Sequence, residues 1–287
     1  MYSITGITGQ VGGAVAHALL EAGQKIRAVA RDPAKLSPWA TRGCEIAVAE
    51  MTDSTALTEA FEGTDGVFVL LPPVFDPSPG FTEIRACIDA LKTALVAASP
   101  VRVVCLSTIG AQATRPNLLS QLGIMEQQFA DLDRPVAFLR PAWFMENAAW
   151  DVAPARETGV IPSFLQPLDK PFPMVATADI GLLAARTLQE TWQGRRVIEL
   201  EGPSRVTPND IASAFSAILQ RPVRMQAVAR DTWEAIFLAQ GMKNPLPRMQ
   251  MLDGFNEGWI EFEGGAAGIR KGATALHSVL RALAARG

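Results

Sequence analysis

The first 140 residues alternate short apolar runs with longer segments whose apolar residues recur at helical spacing. Between the first two runs, Val11, Val15 and Leu19 share one face of a predicted helix that Gly23 ends. The apolar runs, each predicted to be a strand, cover residues 1–5, 25–31, 44–49, 66–71, 101–107 and 136–140. This alternation of strand and helix predicts an α/β fold built on a doubly wound parallel sheet.

Capping signals and proline positions refine this pattern. A helix is predicted over residues 117–132, whereas residues 72–80 contain four prolines and can be neither helix nor central strand. They form a loop at the carboxyl end of a strand, where open α/β sheets bind their ligands. We expect Leu71 and Pro72 to contact the ligand there. The helix N-cap signals are Asp32-Pro33, Thr52 or Asp53, and Thr207-Pro208.

The pattern is looser after residue 140, and aromatic residues lie among prolines and glycines. Helices are predicted at 179–190, from 207, and at 230–240, 246–260 and 273–285, with strands at 195–200 and 223–227. A loop is predicted at Gly264 and Gly265. The chain is therefore expected to divide into a sheet domain, 1–150, and a smaller α/β lobe, 151–287, interleaved with the sheet near 170–200.

Composition excludes several classes of protein. The net charge is −3 and the pI is about 5.6, without the clustered basic residues that nucleic-acid binding requires. Three cysteines, none in a Cys-x-x-Cys motif, and two distant histidines offer little for a metal site, and none is predicted. No apolar run is long enough to cross a membrane, and no leader segment is recognised, so a cytoplasmic location is expected.

Gly6, Gly9 and Gly12 join the first strand to the first helix at spacings of three residues. A helix that begins at a glycine turn presents unpaired N–H groups and the positive end of its dipole to an anion. Glycine also lets the backbone approach a pyrophosphate closely. The turn predicts a dinucleotide site in which Thr8, Gly9, Gln10 and Val11 offer backbone N–H groups. A tight turn without a ligand is the alternative.

Arg31 ends the second strand, where enzymes that use NAD carry an acidic residue for the ribose hydroxyls. An arginine suits the 2′-phosphate of NADP, and Lys35 adds positive charge one helical turn later. Asp32 could serve as the ribose acid, but its position before Pro33 is fully explained by capping. NADP(H) is therefore predicted in preference to NAD(H).

The Tyr-x-x-x-Lys pair of typical short-chain dehydrogenases is missing. Tyr2 is the single tyrosine of the chain, and no lysine occurs between Lys92 and Lys170. Ser107 and Thr108 end the fifth strand and are interpreted as cofactor or capping contacts rather than catalytic groups. No catalytic residue is assigned. Glu126 could exchange a proton, but a solvated helix face is the preferred interpretation.

An aromatic segment follows the sixth strand. Pro141 and Phe144 are predicted to line the nicotinamide pocket, with Trp143, Asn147 and Trp150 facing substrate. The alternative is ordinary core packing for the aromatic residues and a capping role for Asn147.

These segments together resemble the NmrA-like branch of atypical short-chain dehydrogenases. The matching motifs are 5–12, 29–33, 106–111, 139–147 and 177–181, in the order and spacing of that family. The resemblance implies a Rossmann fold that binds NAD(P)H. Family members include quinone reductases, reductases of natural products, and regulators that sense NADP without catalysis. Glu126 matches a glutamate of that family. Many members have a Lys or His shortly before this glutamate, whereas residues 122–125 of this chain contain neither.

The leading hypothesis is an NADPH-dependent reductase that transfers hydride to a small, planar, quinone-like electrophile without a Tyr-x-x-x-Lys proton donor. A non-catalytic protein that senses NADP(H) is the alternative. Epimerase-like sugar chemistry is a weaker third hypothesis, because the missing Tyr-Lys pair argues against it. The sequence predicts a small-molecule partner, no direct nucleic-acid or membrane partner, and allows a homodimer.

Overall fold

A computed structural model describes residues 1–286 of the chain and shows a parallel sheet of eight strands covered by helices on both faces. Two pairs of short strands lie outside it. The strands are β1 (Tyr2–Thr5), β2 (Ile26–Ala30), β3 (Glu45–Val48), β4 (Gly66–Val69), β5 (Val103–Leu106), β6 (Val136–Pro141), β7 (Trp143–Phe144), β8 (Val160–Ser163), β9 (Met174–Val175), β10 (Arg195–Glu201), β11 (Arg224–Ala227) and β12 (Arg270–Lys271).

Helices and turns connect these strands. Three further segments form 3₁₀ turns: Pro33–Leu36, Met145–Asp151 and Arg230–Thr232. The α-helices are α1 (Gln10–Glu21), α2 (Ser37–Ala40), α3 (Ser54–Phe61), α4 (Thr82–Ala98), α5 (Ser120–Gln128), α6 (Val152–Glu157), α7 (Thr177–Gln189), α8 (Pro208–Leu219), α9 (Trp233–Ala239), α10 (Leu246–Glu257), α11 (Gly265–Gly268) and α12 (Leu276–Ala284).

The strand order confirms the predicted doubly wound sheet. It runs β12-β10-β6-β5-β4-β1-β2-β3, and the strand pairs are parallel. From β1 the chain moves to β2 and β3 on one side, and then crosses to β4, β5 and β6 on the other. The order therefore reverses between β1 and β4, and the carboxyl ends of these strands are where such sheets bind ligands.

Each face of the sheet has its own apolar core. Helices α3, α4 and α5 cover one face, and α1 and α7 cover the other. The α1–α7 contact is close: a Cβ added at Gly181 would lie 2.4 Å from the Cβ of Ala14, so glycine is required there. Phe215, Trp233 and Leu280 extend this second core into the carboxyl-terminal lobe, which is packed continuously onto the sheet.

The carboxyl-terminal half also returns to the sheet. Strand β10 pairs with the whole length of β6, and β12 adds a short outer strand. The pairs β7–β9 and β8–β11 lie apart from the large sheet. The final residue of the predicted lobe, Gly287, lies outside the described residues.

Several predicted elements differ from the structure. The helix expected over 117–132 is limited to α5, because Asn117 instead caps a turn by accepting a hydrogen bond from the Leu119 N–H at 2.8 Å. Asp32 caps a 3₁₀ turn, followed by the one-turn helix α2. The loop expected at Gly264 and Gly265 contains the one-turn helix α11.

Hydrogen bonds show which of the predicted residues cap the helices. Asp53, rather than Thr52, caps α3 by accepting from the N–H groups of Thr55 and Ala56. Thr207 forms a reciprocal capping box with Asp210 at the start of α8. Within residues 1–286, no helix combines the length and apolar character needed to cross a membrane.

Candidate cofactor and substrate site

The three glycines of the phosphate turn have different roles. Gly6 adopts φ +63°, a conformation that favours glycine. A Cβ at Gly12 would lie 2.2 Å from the carbonyl oxygen of Gly6, so the packing of α1 on the turn requires glycine there. A Cβ at Gly9 would lie 3.4 Å from the same oxygen, an ordinary contact. The chain itself tolerates a side chain at exposed Gly9, so glycine there leaves space for a ligand.

The amino end of α1 keeps donors without an acceptor among the described residues. No side chain caps the helix, and its first internal bond runs from the Gly13 N–H to the Gly9 carbonyl at 2.9 Å. The expectation that the Gly9 N–H faces the phosphates is wrong, because it donates to the Gly6 carbonyl at 3.0 Å. The first-turn donors that remain belong to Gln10, Val11 and Gly12. These donors lie beside exposed Thr8, and unpaired N–H groups at the amino end of a helix are suited to an anion.

The end of β4 lies directly beside this turn. The Thr5 hydroxyl accepts a hydrogen bond from the Leu70 N–H at 2.8 Å and donates to the Phe68 carbonyl at 3.1 Å. These bonds connect β1 to the segment that continues into buried Leu71 and half-buried Pro72. Both predicted contact residues therefore follow β4 at the point where the strand order reverses.

Arg31 and Lys35 provide uncommitted positive charge beyond the end of β2. Both side chains are exposed, and no hydrogen bond or ion pair joins either to another described residue. The carboxylate of Asp32 accepts from the Ala34 N–H at 3.0 Å, which confirms its capping role. The two cations thus remain available to a phosphate, while the adjacent acid is engaged locally.

Ser107, Glu126 and Arg140 form a buried polar cluster between β5, α5 and β6. Arg140 binds the Glu126 carboxylate with both Nε (2.9 Å) and Nη2 (2.6 Å), and the Ser107 hydroxyl donates to the same carboxylate at 2.5 Å. Burial acts to lower the pKa of Arg140, but the hydrogen bonds and charges of Glu126 and Glu263 outweigh it and raise that pKa. The interpretation of Glu126 as a solvated residue is wrong, because α5 turns it toward Arg140.

The cluster limits what Ser107 can do. Its proton is directed at the Glu126 carboxylate, so toward a ligand the Ser107 oxygen is an acceptor rather than a donor. Thr108, which follows it, is half-buried, and its carbonyl accepts from the Ala111 N–H at 3.3 Å. Ser107 is therefore arranged to position Glu126, and its role as a cofactor or capping contact stays a prediction.

The aromatic segment after β6 divides into a packed part and an exposed part. Pro141 is buried, and half-buried Trp143 and Phe144 form β7, where successive side chains point to opposite sides. The Trp143 ring meets Phe255 edge-on, with 5.2 Å between centroids. The remaining predicted substrate residues, Asn147 and Trp150, lie on the next 3₁₀ turn and are exposed, Trp150 by 75%.

Helix α10 covers the carboxyl edge of the sheet. After β4, the Asp76 carboxylate accepts from the N–H groups of Lys243 (2.8 Å) and Asn244 (2.7 Å), just before α10. After β5, the Leu118 N–H donates to the Pro247 carbonyl at 2.9 Å. Trp143, after β6, contacts Phe255 near the other end of the helix. Thus α10 spans the ends of three adjacent strands and covers the candidate site.

No role was predicted from the sequence for Arg140 in the buried cluster, or for Asp76 and Phe255 in this cover. Backbone hydrogen bonds from Lys243 and Asn244 lower the pKa of Asp76 and favour its ionised form. Asp76 thereby links the loop after β4 to the segment before α10. A charged residue within the proline-rich loop was the one available signal for Asp76. The sequence contained no such signal for Arg140 or Phe255, because the residues that they contact are distant in the chain. No group of three or more potential metal ligands occurs within residues 1–286.

Comparison with known proteins finds one matching family and several reductases that this chain resembles. The model of the NmrA-like family matches residues 3–264. The chain is 29% identical over 248 residues to an NAD(P)H azoreductase of Xenophilus azovorans, with 86% of this chain and 83% of that protein covered. It is 28% identical over 243 residues to (4-alkanoyl-5-oxo-2,5-dihydrofuran-3-yl)methyl phosphate reductase of Streptomyces griseus, with 84% and 81% covered.

A solved structure shows the same arrangement over nearly the whole length. The NADPH-dependent quinone oxidoreductase of Escherichia coli, determined with NADPH bound, superposes with a TM-score of 0.81 at 25% identity. The superposition covers 98% of this chain and 99% of that one. The predicted resemblance and the predicted Rossmann architecture are both confirmed by these matches.

Proposed function

The chain belongs to the NmrA-like family, and from that membership we propose that it is an NADPH-dependent reductase of small, planar electrophiles such as quinones. The observation that carries the proposal is the amino end of α1, which no side chain caps. It is accompanied by exposed Arg31, which binds no other described side chain, and by the contact between the rings of Trp143 and Phe255. Matching relatives are a quinone oxidoreductase and an azoreductase, both of which are named for NAD(P)H-dependent reduction.

The residues present fit a bound NADPH. The N–H groups of Gln10, Val11 and Gly12 are free to bind the pyrophosphate, and the space at Gly9 allows it to approach. Arg31 and Lys35 would hold the 2′-phosphate, which favours NADPH over NADH. Leu71, Pro72, Ser107 and Thr108 would flank the rest of the cofactor, with Pro141 and Phe144 against the nicotinamide.

The chain offers little equipment for proton transfer at this place. Tyr2 is buried in β1, and Lys170 donates to the carbonyl oxygens of Phe255 (2.9 Å) and Asn256 (2.7 Å). Ser107 is engaged with Glu126. We therefore infer a reaction that needs no Tyr-x-x-x-Lys donor: NADPH, when bound, would supply the hydride, and water would supply the proton that completes the hydroquinone. Quinone, NADPH and one proton give hydroquinone and NADP⁺.

The cover over the strand ends favours a flat substrate. Trp143 presents a half-buried ring held edge-on by Phe255, and it would pack on one side of a planar ring system. Exposed Asn147 and Trp150 would contact the outer part of the substrate.

The test is the oxidation of NADPH by the purified protein, followed at 340 nm with a panel of quinones, azo dyes and conjugated enones. We expect turnover with at least one quinone and a higher kcat/KM with NADPH than with NADH. Tight binding of NADPH without its oxidation by any compound would contradict the reductase assignment.

The same geometry supports a second function, an NADP(H)-sensing protein without catalysis. The polar groups nearest the predicted nicotinamide side are paired with one another in the Ser107–Glu126–Arg140 cluster. If the protein is a sensor, NADPH and NADP⁺ should differ in their effect on binding of a protein partner recovered with the full chain. Equal recovery with both forms would exclude this alternative.

A further inference from the structure

Arg248 is a half-buried cation without a counter-ion among residues 1–286. Its hydrogen-bonding contact is a weak one, from Nη1 to the Met242 sulfur at 3.8 Å. The guanidinium lies over the ring of Phe237, 4.5 Å from the centroid. Burial lowers the pKa of Arg248, and no nearby carboxylate opposes that shift. A buried charge is ordinarily paired with a charge of opposite sign, and the described residues around Arg248 provide no acidic group to pair with it.

Arg248 lies on the face of α10 that also carries Phe255. Residues seven apart on an α-helix differ by only about 20° in direction and by about 10 Å along the axis. Arg248 therefore projects from the same face as Phe255, whose ring contacts Trp143 in the predicted substrate wall. The amino end of α10 is connected to the loops after β4 and β5 through Asp76 and Pro247. Arg248 thus lies above the ends of these two strands.

We propose that Arg248 is a specificity-determining residue that binds an anionic oxygen group on the substrate, so that the preferred substrates are planar electrophiles bearing a carboxylate, sulfonate or phosphate. This inference rests on the proposed reductase function and adds the substrate class to it.

The surroundings of Arg248 suit this role. An oxyanion can accept two parallel N–H bonds from a guanidinium, and such bonds are strongest where water is excluded. Phe237 holds the guanidinium plane in place, which reduces the freedom lost when a ligand binds. Arg248→Met removes the charge and breaks no ion pair, so the variant is expected to fold with an unchanged or higher thermal midpoint.

The kinetic test compares 1,4-naphthoquinone with 1,4-naphthoquinone-2-sulfonate, each at saturating NADPH. We expect Arg248→Met to lower kcat/KM for the sulfonate by roughly 10- to 100-fold, the loss of one charge-assisted bond, and to change that for the neutral quinone less than about threefold. Arg134→Met is the matched control, since Arg134 is also half-buried but precedes β6 at the opposite edge of the sheet. Equal losses for both quinones with Arg248→Met would overturn the inference.

A binding measurement separates this inference from the reductase function. The NADP⁺-saturated protein is titrated calorimetrically with naphthalene-2-sulfonate and with uncharged 2-naphthamide. Wild type should bind the sulfonate at least about tenfold more tightly, and Arg248→Met should abolish that difference. If this holds while neither quinone is reduced, the reductase function fails and the anion site stands. If quinones are reduced but the two ligands bind equally, the anion site is excluded.

Discussion

Glu126 and Arg140 form a bidentate ion pair below the carboxyl edge of the sheet. The distance from Arg140 Nε to Glu126 Oε1 is 2.9 Å, and that from Nη2 to Oε2 is 2.6 Å. Ser107 adds a third hydrogen bond to the same carboxylate. A pair so deeply buried contributes little net stability when complete, but removing one charge leaves the other without compensation. The pair therefore fixes α5 against β6 beneath the proposed substrate site.

Replacing Glu126 should be costly, and replacing Glu263 should not. We expect Glu126→Gln to reduce the free energy of unfolding by about 2–4 kcal/mol, somewhat below the usual range for a broken buried pair because Glu263 still contacts Arg140. Glu263 is the control: its side chain is 63% exposed, so Glu263→Gln should change stability by less than about 1 kcal/mol. Urea unfolding measures both, and equal losses would show that the burial of Glu126 is unimportant.

Ser107→Ala tests the conclusion that this hydroxyl is not a proton donor to substrate. The Ser107 proton is directed at Glu126, so kcat/KM for 1,4-naphthoquinone should fall less than about fivefold, the cost of one lost hydrogen bond nearby. Stability should fall by about 1 kcal/mol. A loss of catalysis of the order of a thousandfold, measured with NADPH saturating, would mean that Ser107 turns toward the substrate during the reaction.

The sheet could be predicted because its determinants are local. The apolar run 66–71 contains β4, and the turn from Gly6 to Gly12 lies in the expected place between β1 and α1. Parallel strands buried on both faces need continuous apolar residues, and a glycine turn needs its own sequence. These features are therefore visible in a single chain without knowledge of its tertiary contacts.

The buried cluster and the cover could not be predicted, because their partners are set by tertiary structure. Glu126 looks like any polar helical residue until Arg140, in the next strand, is seen to face it. Asp76 and Lys243 meet across 167 residues of chain. The Gly9 N–H was misassigned for a related reason: only the geometry of the turn shows that it bonds to Gly6.

Gly9 and Gly12 should respond differently to alanine. Gly9 has φ −95° and space for a Cβ, so Gly9→Ala should change the free energy of unfolding by less than about 1 kcal/mol and weaken NADPH binding at least about tenfold. Gly12→Ala would place a Cβ 2.2 Å from the Gly6 carbonyl and should cost at least about 2 kcal/mol. Unfolding without cofactor and NADPH fluorescence titration separate the two effects. Unaltered NADPH affinity in Gly9→Ala would place the pyrophosphate elsewhere.

Arg31 should determine the preference for NADPH. Arg31→Ala is expected to weaken NADPH binding by roughly 1.5–3 kcal/mol, the loss of a charge-assisted hydrogen bond, and to leave NADH binding nearly unchanged. Asp32→Ala serves as the control, because a capping residue affects stability by about 1 kcal/mol and not the ratio of the two affinities. Parallel fluorescence titrations give both affinities. Equal losses for the two nucleotides with Arg31→Ala would show that the 2′-phosphate is not bound there.

Asp151 should make the protein less stable as the pH rises from about 4 to about 7. It ends the 3₁₀ turn after Trp150, and burial raises the pKa of its carboxyl from 3.8 to about 7. The folded protein therefore keeps a proton that the unfolded chain loses above about pH 4, so this contribution to stability declines between about pH 4 and pH 7 and stays constant above.

Asp151→Asn removes that titration while it preserves the shape of the side chain. The variant should match wild type near pH 4 and exceed its free energy of unfolding by roughly 1–4 kcal/mol at pH 8, because the ionised carboxylate no longer has to be buried. Urea unfolding at pH 4, 6 and 8 measures the difference at each step. Curves for the two proteins that stay parallel across this range would show that Asp151 ionises at its ordinary pKa in the folded state.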